Sequence, residues 1–457
     1  MKKEIGLFFV FFALLALLGG MLLGCTAAFN FLYPGFFNSI PFIKCRPLHV
    51  SLVVAWIFLS ATGGIYYYLP RYCGIELYSR KLPKIHLGLF LITGITILTC
   101  YLFGKFGGRE YWEYPPILAI PVLVTWILFG FNYFKSVIRK AGDFPVYLWM
   151  WGTGIFFFLF TFIESNLWVF PYFRNHLVRD ITVQWKSYGA LVGSWNMLVY
   201  GTGIFLMARI SKNEAMAKSN LAFGMYGLGL SNLLFGWAHH IYILPNASWI
   251  RYTSYVISMS ELIFLAKIIW NWKKSMQVRK LYSDQLVYKF IMTSDAWIFI
   301  NMLLALLISI PAVNIFTHGT HVTVAHAMGS SVGINTMILL ASVTFLVTDV
   351  TKCEISETEM KRMTLGLRMS SISLFVFFIS LVAAGITKGW LTVYSTQTFQ
   401  ELMARISPFL LVFAIAGLGL LTGLILVTGP LLKYCIRYFK SRSEEQEHTE
   451  HIPGTSG

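Results

Sequence analysis

Thr317-His318-Gly319-Thr320-His321-Val322-Thr323-Val324-Ala325-His326-Ala327-Met328 opens an apolar run that continues to about Val350. Polar, metal-capable side chains are expensive inside a lipid bilayer, so histidines at the mouth of such a run are functional candidates from the outset. On a helix, His326 and Met328 point to nearly opposite faces, because each residue turns the chain by about 100°. One helix with a soft ligand on each side can stand between two metal centres. For His318 and His321 taken alone, a histidine-rich helix start is the ordinary explanation.

Composition sets the class. Of the 457 residues 56% are hydrophobic and only 12% charged, whereas soluble domains carry about 25% charged residues. The chain therefore reads as one integral membrane unit over 1–440, followed by a polar cytoplasmic tail over 441–457. A net charge of +16 fits basic cytoplasmic loops and gives no reason to expect nucleic acid. The six cysteines are scattered, with neither CxxC nor CxxCH, and set no disulfide framework; Cys25 and Cys45 could pair near the outer face, but nothing requires it. Lys2 and Lys3 before an apolar run resemble a signal peptide, but the run passes Leu23 without a cleavage motif and reads as a retained span.

Apolar windows of about 20 residues mark spans. They fall near 5–30, 49–70, 85–103, 116–138, 146–166, 186–208, 219–243, 252–271, 291–313, 322–347, 365–387 and 408–430, predicting an all-α protein of twelve transmembrane helices embedded in lipid. Lipid offers exposed backbone no partner, so each span should be helical. Lys and Arg concentrate in the connections that lie inside when the N-terminus is inside, which predicts two cytoplasmic termini.

This topology gives each histidine a depth. His49 opens the second helix, His239 and His240 lie near the outer end of the seventh, and His326 lies just inside the tenth from outside. Separate helices thus deliver imidazoles to one level, and imidazole is the commonest protein ligand of metals and of haem iron. A metal–haem cluster under the outer surface is the natural inference.

At these residues the chain resembles the large, haem-bearing subunit of bacterial nitric oxide reductase, in the haem-copper oxidase superfamily. The resemblance spans nearly the whole chain. It is carried by Thr317-His318-Gly319-Thr320 leading to Val324-Ala325-His326, by Ala238-His239-His240, by His49 with Ala55-Trp56, and by Gly108-Arg109-Glu110-Tyr111-Trp112-Glu113. It implies a subunit I-like fold, a low-spin haem b on His49, and a high-spin haem b on His326. It also implies a non-haem iron or copper on His239 and His240 near Glu261, and calcium near Glu110. The plain reading of Glu110 and Glu113 is a solvated loop with Arg109 as partner. The resemblance further implies reduction of NO, or chemistry on O2, in a bacterial inner membrane. Electrons would come from a cytochrome c-type donor subunit or from quinol.

The chain departs from that pattern twice. The tenth helix carries His326-Ala327-Met328 where the family has His-x-His, so Met328 would complete the His49 haem. The sixth helix carries Val192-Gly193-Ser194-Trp195-Asn196-Met197, placing Gly193 and Met197 where the family has a metal-binding His and a Glu. Asn196 offers an amide oxygen and Glu261 a carboxylate as substitutes. The oxidase tyrosines have no counterpart, since Met197 and Leu233 stand there. Two readings compete with NO reduction: a catalytically altered paralogue performing other NO or O2 chemistry such as dismutation, and a non-enzymatic haem protein for electron transfer or gas sensing.

Overall fold

A computed structural model describes residues 5–140, 142–242, 244–245, 247–276 and 285–450. The long helices are α1 (Ile5–Leu32), α2 (Phe42–Arg71), α3 (Leu82–Leu102), α4 (Ala119–Val137), α5 (Val146–Ser165), α6 (Leu177–Ser211), α7 (Asn220–Phe235), α8 (Ser248–Met276) and α9 (Gln285–Ser309). Then come the short α10 (His321–Met328), a π-helical stretch (Gly329–Thr336), α11 (Met337–Thr351), α12 (Glu357–Tyr394) and α13 (Phe399–Glu450). Among the described residues there is no strand, only one isolated bridge between Arg109 and Trp112.

Local chemistry explains the boundaries. Proline, which lacks an N–H and fixes φ, sits at the starts of α2, α3 and α5. Ser219, Thr320 and Ser356 cap α7, α10 and α12 through their side-chain oxygens. Lys212 and Lys352, both left-handed, end α6 and α11.

Eleven helical segments among the described residues are long and apolar enough to cross a membrane, and they match eleven of the twelve expected spans. The remaining one, expected at 252–271, is the 29-residue α8. It is long enough, at 1.5 Å per residue, but Arg251, Glu261, Lys267, Lys273 and Lys274 dilute its apolar character. At the C-terminus the polar residues from Ser441 onward prolong α13 to Glu450. All six cysteines are free, including Cys25 and Cys45.

The core lies where α2, α6 and α11 meet. Nearly every residue of α2 from Trp56 to Leu69 is buried, as is most of α11. Trp56 Nε1 donates to Thr336 Oγ1 (3.1 Å), and Tyr68 donates to the Ser342 carbonyl (2.9 Å) while its ring stacks on Phe205. These bonds satisfy polar atoms that lipid could not, and they hold the π stretch against α2.

Candidate haem and metal site

His49 sits in the second turn of α2, and its ring is pressed against α1. Its Nδ1 lies 2.6 Å from the carbonyl oxygen of Gly20. A carbonyl can only accept, so Nδ1 carries the proton and Nε2 of the neutral ring keeps a free lone pair. Metal-ligating histidines are typically fixed in this way by a second partner. A Cβ at residue 24 would come within 2.7 Å of the same ring, so only glycine there leaves room for the imidazole.

One turn before His49, Arg46 reaches outward to the loop after α3. It pairs with Glu110 and, at 2.9 Å, with Glu113. The plain expectation of Arg109 as the partner of these carboxylates is corrected here: Arg109 pairs instead with Asp180 at the start of α6 (2.6 Å) and lies over the Trp168 ring. Arg46 wins because it is aimed at the loop from the helix below, while Arg109 turns toward α6. Glu113 Oε2 and the hydroxyls of Tyr101, Tyr114 and Tyr188 are buried without a hydrogen-bond partner. Burial raises the Glu113 carboxyl above its usual value, outweighing the lowering by Arg46.

His326 lies on α10, which starts at the Thr320 cap after a left-handed Gly319 (φ +71°). α12 passes closely over α10 and over the short helix Pro311–Thr317 before it: a Cβ at Gly385 would meet the Val322 nitrogen at 2.4 Å, and one at Gly389 the Phe316 carbonyl at 2.5 Å. From α9, Asn301 reaches the His326 ring and is only 3% exposed. With its amide nitrogen toward His326, it donates to the backbone oxygen of that residue (3.1 Å) and faces Nδ1 (3.2 Å), while its oxygen accepts from Ser330 N (3.2 Å). Met328 is partly buried against the apolar core. His321 Nδ1 is buried without a partner, and burial lowers the His318 pKa from its usual value.

His239 and His240 sit on the 3-10 turn Gly236–Ile241 that follows α7. The side chains of His239 and Glu261 lie outside the described residues. The His240 ring lies parallel to Trp185 of α6 (6.5 Å between centroids, 11°), and Trp185 meets His318 edge-on (6.4 Å). Trp185 thus joins the opening stretch to the His240 level. Helices α6 and α7 approach tightly along this face. A Cβ at Gly189 would meet His240 Cδ2 at 2.9 Å, and one at Gly193 would meet Leu233 Cα, Cβ and Cγ at 3.3 Å. One at Gly229 would meet Met197 Cε at 3.0 Å. The Asn196 oxygen accepts from Asn335 Nδ2 (3.1 Å).

The residues present fit a haem at His49, whose Nδ1–H is already committed to a carbonyl and whose Nε2 is basic. For a non-haem metal the fit turns on His239 and Glu261, whose side chains lie outside the described residues. Among the described residues no group of three or more His, Cys, Asp or Glu comes together to hold an ion. A tight divalent site normally draws three or more protein ligands. Sequence reasoning missed Asn301, Gly20 and Trp185. None is a ligand type, and their roles exist only once the helices are packed.

An all-helical plan whose helices are largely long and apolar enough to cross a membrane defines a class of polytopic membrane proteins. Residues 4–419 match the family of cytochrome c and quinol oxidase polypeptide I, and the chain belongs to that family, whose members normally bind haem and a metal. Among its relatives, a nitric oxide reductase subunit of Stutzerimonas stutzeri is 23% identical over 442 residues, covering 91% of each chain. A cytochrome c oxidase subunit 1 homolog of Agrobacterium tumefaciens is 23% identical over 453 residues, covering 89% of this chain and 79% of that one. A solved haem-copper terminal oxidase dimer superposes with a TM-score of 0.75 at 15% identity, covering 95% of this chain and 84% of that chain.

Proposed function

We propose that the chain is a divergent nitric oxide reductase-type haem protein of a bacterial inner membrane, with both termini cytoplasmic. In this reading two NO, two electrons and two protons give N2O and water. Electrons arrive from a cytochrome c-type subunit or from quinol. The observation that carries the reading furthest is the His49 seat: the Gly20 carbonyl fixes the tautomer that leaves Nε2 as the basic nitrogen. Bound haem b supplies an iron that carries single electrons and takes small gaseous oxides.

The work is divided among a few residues. His49 and Met328 would hold the low-spin haem b. His326 would hold the high-spin haem b. His239, His240 and Glu261 would hold the non-haem iron or copper. Asn196 would have to release Asn335 to join them. Glu110 would take calcium only in exchange for Arg46. Protons reach the site from the outer side, where Glu110, Glu113 and Glu164 stand.

Counting cofactors tests this. Purified protein should carry two haems and one non-haem metal per chain, lose one haem in each of His49→Ala and His326→Ala, and make N2O from NO with an artificial reductant. Haem without a second metal, together with no N2O, sinks the reductase reading. A specific observation favours a second reading, a catalytically altered paralogue or an electron-transfer or gas-sensing haem protein. The Gly193 position, where the resemblance implies a third histidine, is crowded by Leu233, 3.3 Å from a Cβ placed there. The same metal count and N2O assay decide between the two.

A further inference from the structure

His326 is the pivot of the proposed site, and the structure surrounds it with one polar side chain that no sequence motif pointed to. Asn301 arrives from α9, is almost fully buried, and spends its amide on three atoms of one helical turn: His326 O, His326 Nδ1 and Ser330 N. The fit is tight enough to restrict the sequence opposite, because a Cβ at Gly329 would lie 2.4 Å from an Asn301 amide atom. The residue therefore meets both the ring and the backbone at the point where α10 gives way to the π stretch.

We propose that Asn301 is the positioning residue of His326, fixing its ring plane and deciding which ring nitrogen carries the proton. This rests on the reading of His326 as a haem ligand. A neutral imidazole has one N–H and one bare nitrogen. With the amide nitrogen facing Nδ1, Nδ1 is the bare one and Nε2 holds the proton. Ligation of iron through Nε2 requires the opposite tautomer, with Nδ1–H as donor. The amide can meet that donor only by turning its oxygen to the ring. It then gives up its bond to the His326 carbonyl and sets its NH2 against Ser330 N–H. Nδ1–H of a ligated His326 is thus met only at the cost of the amide's other bonds, which leaves the ring a neutral and more weakly basic ligand than His49, whose Nδ1–H is met by the Gly20 carbonyl at no such cost.

Resonance Raman of the ferrous, haem-loaded full chain reads this directly in the iron–histidine stretching band. Asn301→Asp places an acceptor at Nδ1–H, so the band should rise in frequency and the midpoint potential of that haem should fall. Asn301→Leu removes the amide, so the band should broaden as the ring loses a fixed plane. Variants that keep wild-type haem content with the band unmoved overturn the proposal. If Asn301→Leu does not accumulate, the near-isosteric Asn301→Asp decides alone by the same criterion. His326→Ala separates the two levels. Loss of one haem there with unmoved bands in the Asn301 variants overturns only the role of Asn301, whereas retention of both haems overturns the reading of His326 and this proposal with it.

Discussion

Glu113 keeps one oxygen on Arg46 and leaves the other buried without a partner. Burial is the larger influence and lifts its carboxyl above the usual 4.5. A carboxyl whose folded pKa is raised binds its proton more tightly in the folded state. The associated stability is fully present below the unfolded pKa and is lost as pH rises through the folded value. Glu113→Gln, neutral at every pH, should therefore gain thermal stability relative to the parent as pH rises from about 4 toward neutrality. Melting curves of the detergent-solubilised protein across that range check this, and an unchanging difference would contradict it. The expected common depth of imidazoles singled out His49, His239, His240 and His326 as candidates, on residue chemistry alone. Asn301 and Trp185 were not legible, because a buried amide or indole on an apolar helix looks like any packed polar residue until its neighbour is known.

At the scale of elements, the span expected as one helix over 322–347 is three pieces: α10, the π stretch and α11. Apolar periodicity could not show this, since Gly329, Ser330, Ser331 and Gly333 are compatible with either winding. The position of α10 depends on α12, where Gly385 lets the Val322 backbone approach closely. Overpacking at such a contact costs about 1–3 kcal/mol. Gly385→Ala should lower thermal stability by roughly that amount and lower the haem content assigned to His326, read by pyridine haemochrome. A variant with parental melting and full haem would show that the crossing has slack. The 3-10 turn carrying His239 and His240 was also expected as plain helix; its tight winding follows the close seating of Trp237 and His240 against Gly189.

For the whole molecule, eleven of twelve spans could be read from hydropathy because lipid demands long apolar helices, and α8 is visible by length rather than by composition. Close packing between helices was not legible, and it bears on Gly193: the resemblance implies a histidine where the sequence has glycine, and the fold sets Leu233 against that position. Orientation is a whole-chain property, set by basic residues in short connections. Alkaline phosphatase, active only outside the cytoplasm, should be inactive when fused after Ser443 and active when inserted at Gly107. The reverse pattern would invert the proposed topology and put the histidine level on the inner face.

The π stretch has a consequence for how this chain tolerates changes of length. Its i→i+5 winding holds more residues than α winding over the same length, so the surplus is absorbed locally and the two halves of the span keep their faces. A deletion of one residue between Gly329 and Thr336 would let the segment relax to ordinary α winding, with His326 on one side and Thr336 on the other near their present neighbours. Elsewhere in the span, where the winding is α, the same deletion would turn one half against the other by about 100°. These eight residues are therefore where the span can change its length with least disturbance to the ring positions on either side.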